Sequence, residues 1–504
     1  MNQNNQDKRL FRYLLVFMAV WLLLLTVIPS VLYTALPLDT IETIMWSHPF
    51  SMGNAKHPPL AGWLAGVFTL ASGHADSAMY LLSQVMLVTG FVYIYRLGRE
   101  FFSAEKAVLS VALLATMLFY TFDSAKFNVN LPHMALWPMM VFYCWRGVKY
   151  DRTADWILFG LASALAVLSK LFGFALLLAL FLFIVTGRET RKYFRRPGPY
   201  LAFAVFALVL APYLVWLARN NFLPFIYIAN RVSEEKNNPA INFLRFLYES
   251  LFPFVMPAIL LWLTSDHPVQ ALLKFRPRGV HPASPEAARL AACVQFTPIA
   301  LLALMACTGM TIDSMWEYPV YFISGFFLMA FWKDVSFREF KKLFCVLMLL
   351  FVAVQAFDVS YWLTRTRKRG HFNVSEFITV ADRFYRERTG NDIPLAFGDM
   401  WYAGCIMQYL PYHPYAGTFE DPCDELRFRS ILDNEGALGV YNWEGQARFL
   451  ADSLGLDVNE LKKNSVEFRS ICRAPYGKPK ECQAYLVVIP PRKTLRQTMS
   501  AVQE

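Results

Sequence analysis

From Arg12 to Leu363 the chain is a series of apolar runs separated by short polar breaks; from Arg365 onward charges are spread throughout. A membrane-spanning helix needs about 20 apolar residues. Runs of this kind lie near 12–32, 76–95, 107–122, 131–146, 154–169, 171–187, 199–217, 243–264, 290–308, 318–332 and 343–363. Several are short, which predicts broken helices or helices lining a cavity rather than facing lipid. Residues 60–72 are apolar but shorter still and read as an interfacial helix. The pattern predicts a mostly α, polytopic membrane helix bundle of about 11 spans over residues 1–363, followed by a soluble domain over 364–504. In that second region NVSEFITVADRFYRERTG predicts a helix capped by Asn373 or Ser375 and ended by Gly390. IPLAFG, ALGVYNW and YLVVIP predict buried strands, giving a small α/β layer.

Composition narrows the class. Of 504 residues 56% are hydrophobic and only 17% charged, against about 25% charged in an ordinary soluble domain. Several soluble domains, disorder, a coiled coil and a soluble nucleic-acid binder are all excluded as readings. The net charge of +10 is then a statement about topology. With the N-terminus in the cytoplasm, the cytoplasmic segments hold 22 Lys and Arg, while the opposite loops hold six: Lys56, Lys126, Lys170, Arg219, Arg231 and Lys236. Eleven spans then place the C-terminal domain outside, as nine or thirteen would and ten or twelve would not. The first span lacks a small-residue cleavage site and reads as an anchor.

Cysteine placement fits an oxidising compartment for the outer domain. Cys144, Cys293, Cys307 and Cys345 lie in spans, and Cys405, Cys423, Cys472 and Cys482 in the outer region. Cys472 and Cys482 flank a Pro/Gly-containing loop and are the favoured pair, with Cys405 and Cys423 paired by elimination; free thiols are the alternative.

Ionisable residues at the outer edge of the bundle are the candidates for chemistry. LPLDTIETIMWSHPFSMGNAKHPPLAGW places Asp39 and Glu42 on one helical face, at i, i+3. Lys56 and His57 stand before a Pro-Pro. A carboxylate there suits a general base, and a cation suits a phosphate; ordinary interfacial charges are the plain alternative. The next loop, TFDSAKFNVNLPHMALW, offers Asp123, Lys126, Asn128, Asn130 and His133, where Asn130 is equally a helix N-cap. Lys170, in the tight turn LSKLFG, can snorkel to the interface or hold a lipid phosphate. RNNFLPFIYIANRVSEEKNNPAINF is long enough to cover a lipid-linked substrate or to be a plain interfacial loop. His48, His57 and His133 have no metal-ligand spacing and HExxH is absent. Asp39 and Glu42 leave open a divalent metal without indicating one. The outer region holds no GxGxxG, P-loop or GxSxG motif.

LDTIETIMW, KHPPLAGW, FNVNLPHMALWP, DWILFGLASALAVLSKLFGFALLL and MWEYPVYFISGFFL together resemble the polyprenyl-phosphate-sugar-dependent glycosyltransferases of the GT-C type. The likeness is to the bacterial branch of lipid A aminoarabinose and rhizobial lipid A and core galacturonosyltransferases. AFGDMWYAGCIMQYLP and GVYNWEG are similar to that branch's periplasmic domain.

The resemblance implies a sugar donor on an undecaprenyl-type phosphate, an envelope acceptor such as lipid A or lipopolysaccharide core, inversion at the anomeric carbon, and the lipid phosphate as leaving group. It also implies a multi-pass protein of the bacterial inner membrane, surrounded by membrane lipids, with no nucleic acid partner. Asp39 matches the catalytic acidic position, Glu42 a supporting carboxylate, Lys56 a basic position for the donor phosphate or an acidic sugar, and Lys170 the lysine near the lipid phosphate. His57, Asp123, Lys126, Asn130 and His133 line the same substrate region on this reading. Two departures stand out: the acidic pair is Asp-x-x-Glu rather than Asp-Glu, and Asn130 stands where many members carry Asp. The competing readings are a transporter or flippase of lipid-linked sugars and a non-catalytic envelope assembly factor. The halves show no internal repeat, and the ionisable residues gather at the outer edge rather than the midplane, which disfavours the transporter.

Overall fold

The computed structural model describes residues 3–47, 50–121, 123–234, 238–264, 284–332, 334–418 and 425–491. In chain order the helices begin with α1 (Gln3–Leu32), α2 (Leu38–Met45), α3 (Leu60–Ala71), α4 (Asp76–Phe101), α5 (Ala104–Ala112), α6 (Leu118–Thr121), α7 (Leu131–Tyr150), α8 (Thr153–Ser169) and α9 (Gly173–Thr186). They continue with α10 (Pro197–Arg219), α11 (Leu223–Glu234), α12 (Pro239–Thr264), α13 (Pro285–Ala306), α14 (Ser314–Glu317), α15 (Ser324–Phe331), α16 (Phe337–Thr364) and α17 (Val374–Thr389). The remaining elements are β1 (Leu395–Gly398), α18 (Met400–Tyr409), β2 (Tyr415–Gly417), α19 (Glu425–Asn434), β3 (Ala437–Tyr441), α20 (Glu444–Leu454), α21 (Val458–Lys463), β4 (Val466–Cys472) and β5 (Lys480–Ile489).

Among the described residues six helices are long and apolar enough to cross a membrane: α1, α4, α10, α12, α13 and α16. α3, α8 and α9 are shorter apolar helices. Two of the short sequence runs are indeed broken. Residues 107–122 divide into α5, a 3-10 turn at Leu113–Thr116 and α6, and residues 318–332 into a 3-10 turn at Tyr318–Ile323 and α15. Every residue of α5 is buried, so the polar groups freed where its helix stops meet protein rather than lipid, as irregular backbone in a membrane requires.

The chain packs as two compact units, residues 1–27 with 80–357 and residues 28–79 with 358–504. In the first, α8 lies against α7 and α10, and α9 against α13. The sequence of α8 explains its close packing, because Gly160 stands where a Cβ would run into the Ala202 carbonyl; small residues let helix backbones approach without an apolar driving force. Trp21 is fully buried, stacked on Phe351 at 4.5 Å and edge-on to Phe91 at 5.1 Å. Lys106, in α5, is 1% exposed and donates to the Trp332 carbonyl at 2.8 Å. The topology count also used Lys236, Lys274, Arg276, Arg278 and Lys333, which lie outside the described residues.

In the second unit a five-stranded sheet has the order β2-β1-β3-β5-β4. β1 runs parallel to β2 and β3, and β5 antiparallel to β3 and β4. Leu395, Phe397, Leu432, Leu450, Val487 and Ile489 form its core. α17 is capped by the Asn373 side chain and ends on Gly390 in the left-handed region, both as the sequence predicts. β2 and β4 were not predicted: β2 has three residues, and β4 buries only Phe468 and Cys472 and carries Glu467, Arg469 and Ser470 instead of forming an apolar run.

α2 docks on α18, with Ile41 and Met45 so close to Gly404 that a Cβ there would strike Ile41. Polar contacts reinforce the seat. Tyr409 accepts from the Leu36 amide at 2.7 Å and donates to Asp76 at 2.8 Å, while the Trp401 indole donates to the Leu36 carbonyl at 3.1 Å.

Cys472 and Cys482 form the predicted disulfide across β4 and β5. The second predicted pair is not formed: Cys405 is a buried free thiol in α18, and burial pushes its pKa well up. Cys423 lies outside the described residues. The bridge closes a loop of sequence separation 10. Replacing Cys482 by Ser is expected to destabilise the sheet by about 2–3 kcal/mol, seen as an earlier melting transition that reductant no longer shifts further.

Candidate active site

The acidic loop is built on α2. Asp39 sits in its first turn, where a carboxylate meets the positive end of the helix. Thr40, Ile41, Thr43, Ile44 and Met45 are buried, which leaves Asp39 and Glu42 on the partly exposed face. The Lys56 ammonium donates to Glu42 at 2.9 Å, with the two side chains only 14% and 15% exposed.

The loop that returns Lys56 to this helix is held by Asn54. Its side-chain oxygen accepts from the Lys56 and His57 amides at 2.9 and 2.8 Å, and its own amide donates to the His57 carbonyl at 3.1 Å. The His57 ring lies edge-on to Trp46 at 5.4 Å. Pro58 and Pro59 then lead into α3. Lys56 thus neutralises Glu42, and the pair orders the face on which Asp39 lies. The sequence expectation set Lys56 against a donor phosphate or an acidic sugar; in the folded loop its ammonium also meets Glu42.

The other predicted residues lie in the first unit, around the N-terminus of α7 and the C-terminus of α8. The Lys170 ammonium donates to Asn130 Oδ1 at 2.9 Å, so the Asn130 side chain holds a lysine rather than capping α7. Ser169 donates to the Val129 carbonyl at 2.7 Å, and His133 Nε2 donates to the Ala166 carbonyl at 2.8 Å. With its ring 0% exposed and stacked on Trp137, His133 braces the Lys170 turn from beneath. Asn128 has a similar local duty: its side-chain oxygen accepts from the Asn130 amide at 2.9 Å.

Asp123 is engaged on both oxygens, by Lys126 at 2.6 Å and by the Tyr318 hydroxyl at 2.8 Å. Its pairing leaves Lys126 largely neutralised.

Two residues not singled out for a role complete the cation site. Lys170 lies over the Trp316 ring at 5.2 Å and Arg231 over the same ring at 5.0 Å. Burial lowers the Lys170 pKa to about 7, with Arg231 lowering it further and Asp313 opposing. Two cations thus face one indole, an arrangement whose chemistry can receive an anion. The segment MWEYP was visible in the sequence, but nothing local linked Trp316 to Lys170 or Arg231.

Among the described residues no group of three or more His, Cys, Asp and Glu is placed to hold a metal ion. Glu42 is already paired with Lys56. Among the described residues, this acidic face is therefore not arranged to hold the divalent metal left open above.

The comparisons fit this geometry. Residues 56–216 match the family model described as dolichyl-phosphate-mannose-protein mannosyltransferase, a stretch that includes Lys56, Asn130 and Lys170 but not Asp39 or Glu42. No curated protein matches the sequence. The crystal structure of ArnT from Cupriavidus metallidurans bound to undecaprenyl phosphate is similar at 13% identity with a TM-score of 0.61, covering 94% of this chain and 97% of that one. The apo structure of the same protein is similar at 12% identity and a TM-score of 0.60, covering 96% and 98%. TM-scores of 0.61 and 0.60 over nearly the whole of both chains show the shared fold, and at this identity the fold alone. The chain has the GT-C fold of membrane glycosyltransferases, with a small C-terminal α/β region, and within that fold it resembles the lipid A aminoarabinose transferase.

Proposed function

We propose that this chain is an inverting membrane glycosyltransferase that moves a sugar from an undecaprenyl-type phosphate to an envelope acceptor such as lipid A or lipopolysaccharide core. The observation that carries the reading is the pairing of Lys170 with Asn130 beneath Trp316 and beside Arg231. The donor is a phosphodiester with one negative charge. As the bond from the anomeric carbon to the phosphate oxygen breaks, the lipid phosphate gains a second charge. Lys170 and Arg231 favour that charge more in the transition state than in the donor, which is the condition for acceleration. Asp39 takes the proton of the attacking acceptor hydroxyl, while Glu42 and Lys56 hold its surroundings. His57 contacts substrate beside them, and Asp123, Lys126, Asn130 and His133 shape the donor region. No nucleotide and no metal is needed for this balance. In this proposal the protein lies in a bacterial inner membrane, N-terminus cytoplasmic and residues 364–504 periplasmic.

The discriminating experiment uses purified full-length protein in detergent, with a polyprenyl-phosphate sugar and lipid A. Transfer is expected there, where no membrane separates two sides. A protein that moves the lipid-linked sugar across vesicles but yields no glycosylated acceptor in detergent is a flippase, and that outcome refutes the proposal.

A further inference from the structure

A pocket of about 440 Å³ opens in the second unit at the carboxyl ends of the three parallel strands. β1 supplies Asp399 and Trp401 just beyond its end, β2 supplies Thr418, and β3 supplies Trp443 and Gln446. The connection from β1 leads to β2 on one side, while β3 lies on the other side of β1. A crevice where neighbouring connections diverge is the usual ligand site of an open α/β sheet. Its volume falls within the range of small-molecule sites.

The pocket is built from a tight local framework. Gly398 adopts φ +133°, and a Cβ there would run into the Val440 carbonyl. Asp399 is 8% exposed; it accepts from the Trp401 and Tyr402 amides at 3.0 and 3.1 Å and from the Gln446 amide at 2.8 Å. Gln446 in turn accepts from the Asn442 amide at 2.9 Å. The Trp443 ring folds back over Gly445, where a Cβ would strike it, and yet remains 60% exposed. Phe449 is 51% exposed on the same rim. Arg369 is exposed, lies over the Trp401 ring at 5.8 Å, and has no ion-pair partner among the described residues.

These groups select a ligand class. Asp399 occupies the N-terminus of α18, where a dinucleotide-binding fold would receive a phosphate, so an anion is repelled there. The cation available to an anion is Arg369. Exposed aromatic rings suit the C–H face of a pyranose, and the fixed Gln446 amide suits its hydroxyl edge. We propose that this pocket binds a saccharide bearing a phosphate or carboxylate. Leu38, which immediately precedes Asp39 on α2, forms one wall. Given the glycosyltransferase reading above, on which this assignment rests, the bound saccharide belongs to the acceptor, and the pocket is its recognition subsite.

The test titrates purified full-length protein with glucose 1-phosphate and follows saturation transfer to the sugar protons by NMR. Binding is expected, about tenfold tighter than for glucose, and about tenfold weaker in W443A and in R369Q with unchanged melting temperatures. D39N should bind the probe as the unaltered protein does. Absence of binding, or equal binding by both pocket variants, overturns the pocket. Steady-state kinetics with lipid A then identify the source. A raised acceptor KM in W443A with an unchanged donor KM supports the acceptor subsite, whereas lost probe binding with both KM values unchanged overturns that assignment in favour of a free saccharide. Failure of the glycosyltransferase reading would show instead as absence of turnover with probe binding intact.

Discussion

Asp39→Asn is expected to reduce sugar transfer by at least about 10³-fold, equal to about 4 kcal/mol of transition-state stabilisation. The amide has the carboxylate's shape but cannot accept the acceptor's proton. Its structural cost is small by comparison. Removing one acid from the first turn of α2 weakens a helix by about 0.3–1 kcal/mol. The buried face through Ile41 and Ile44 and the Thr43 hydrogen bond to the Asp39 carbonyl at 2.6 Å are untouched. The variant should therefore insert, melt within a few degrees of the unaltered protein and bind donor. Full transfer activity in D39N would sink the assignment.

Lys170→Ala is expected to lower kcat/KM for the donor by about 100-fold, or about 2.7 kcal/mol. Because the leaving phosphate gains charge in the transition state, kcat should fall as well as KM rise. A lysine that only snorkelled would change neither. The pH profile supplies a second reading. Burial lowers the Lys170 pKa to about 7, so the charged form of the free protein dominates below that pH and is lost above it. Donor kcat/KM should fall by up to about tenfold per pH unit above 7 in the unaltered protein. Lys170→Arg, which stays charged, should flatten this limb even if it lowers the plateau. A descending limb that persists unchanged in K170R belongs to another group.

Much of the architecture was legible from short-range pattern. Runs of apolar residues marked the spans because a bilayer demands length and internal hydrogen bonding from each helix separately. The cap at Asn373 and the stop at Gly390 follow from rules that act within four residues. The acidic face of α2 was readable for the same reason, since i, i+3 spacing is local. The reading failed where a contact was distant or an element too short. β2 offered three residues, and Cys405 was paired by elimination although the fold buries it unpaired within α18.

The candidate site shows the same division. Sequence could nominate Lys56 as a phosphate ligand, but only the folded loop shows Asn54 turning it onto Glu42. Sequence could weigh Asn130 as a cap, but its side chain is claimed by Lys170, 40 residues away. Trp316 and Arg231 had no local signal tying them to that lysine. By itself, then, the sequence determined a multi-span bundle, an appended α/β region and an acidic helix face, because periodicity and composition govern each segment independently. Only the tertiary structure decided which cations share an indole, which carboxylates are already neutralised, and that the ends of three strands enclose a pocket. Those facts depend on packing between segments far apart in the chain, where no sequence period operates.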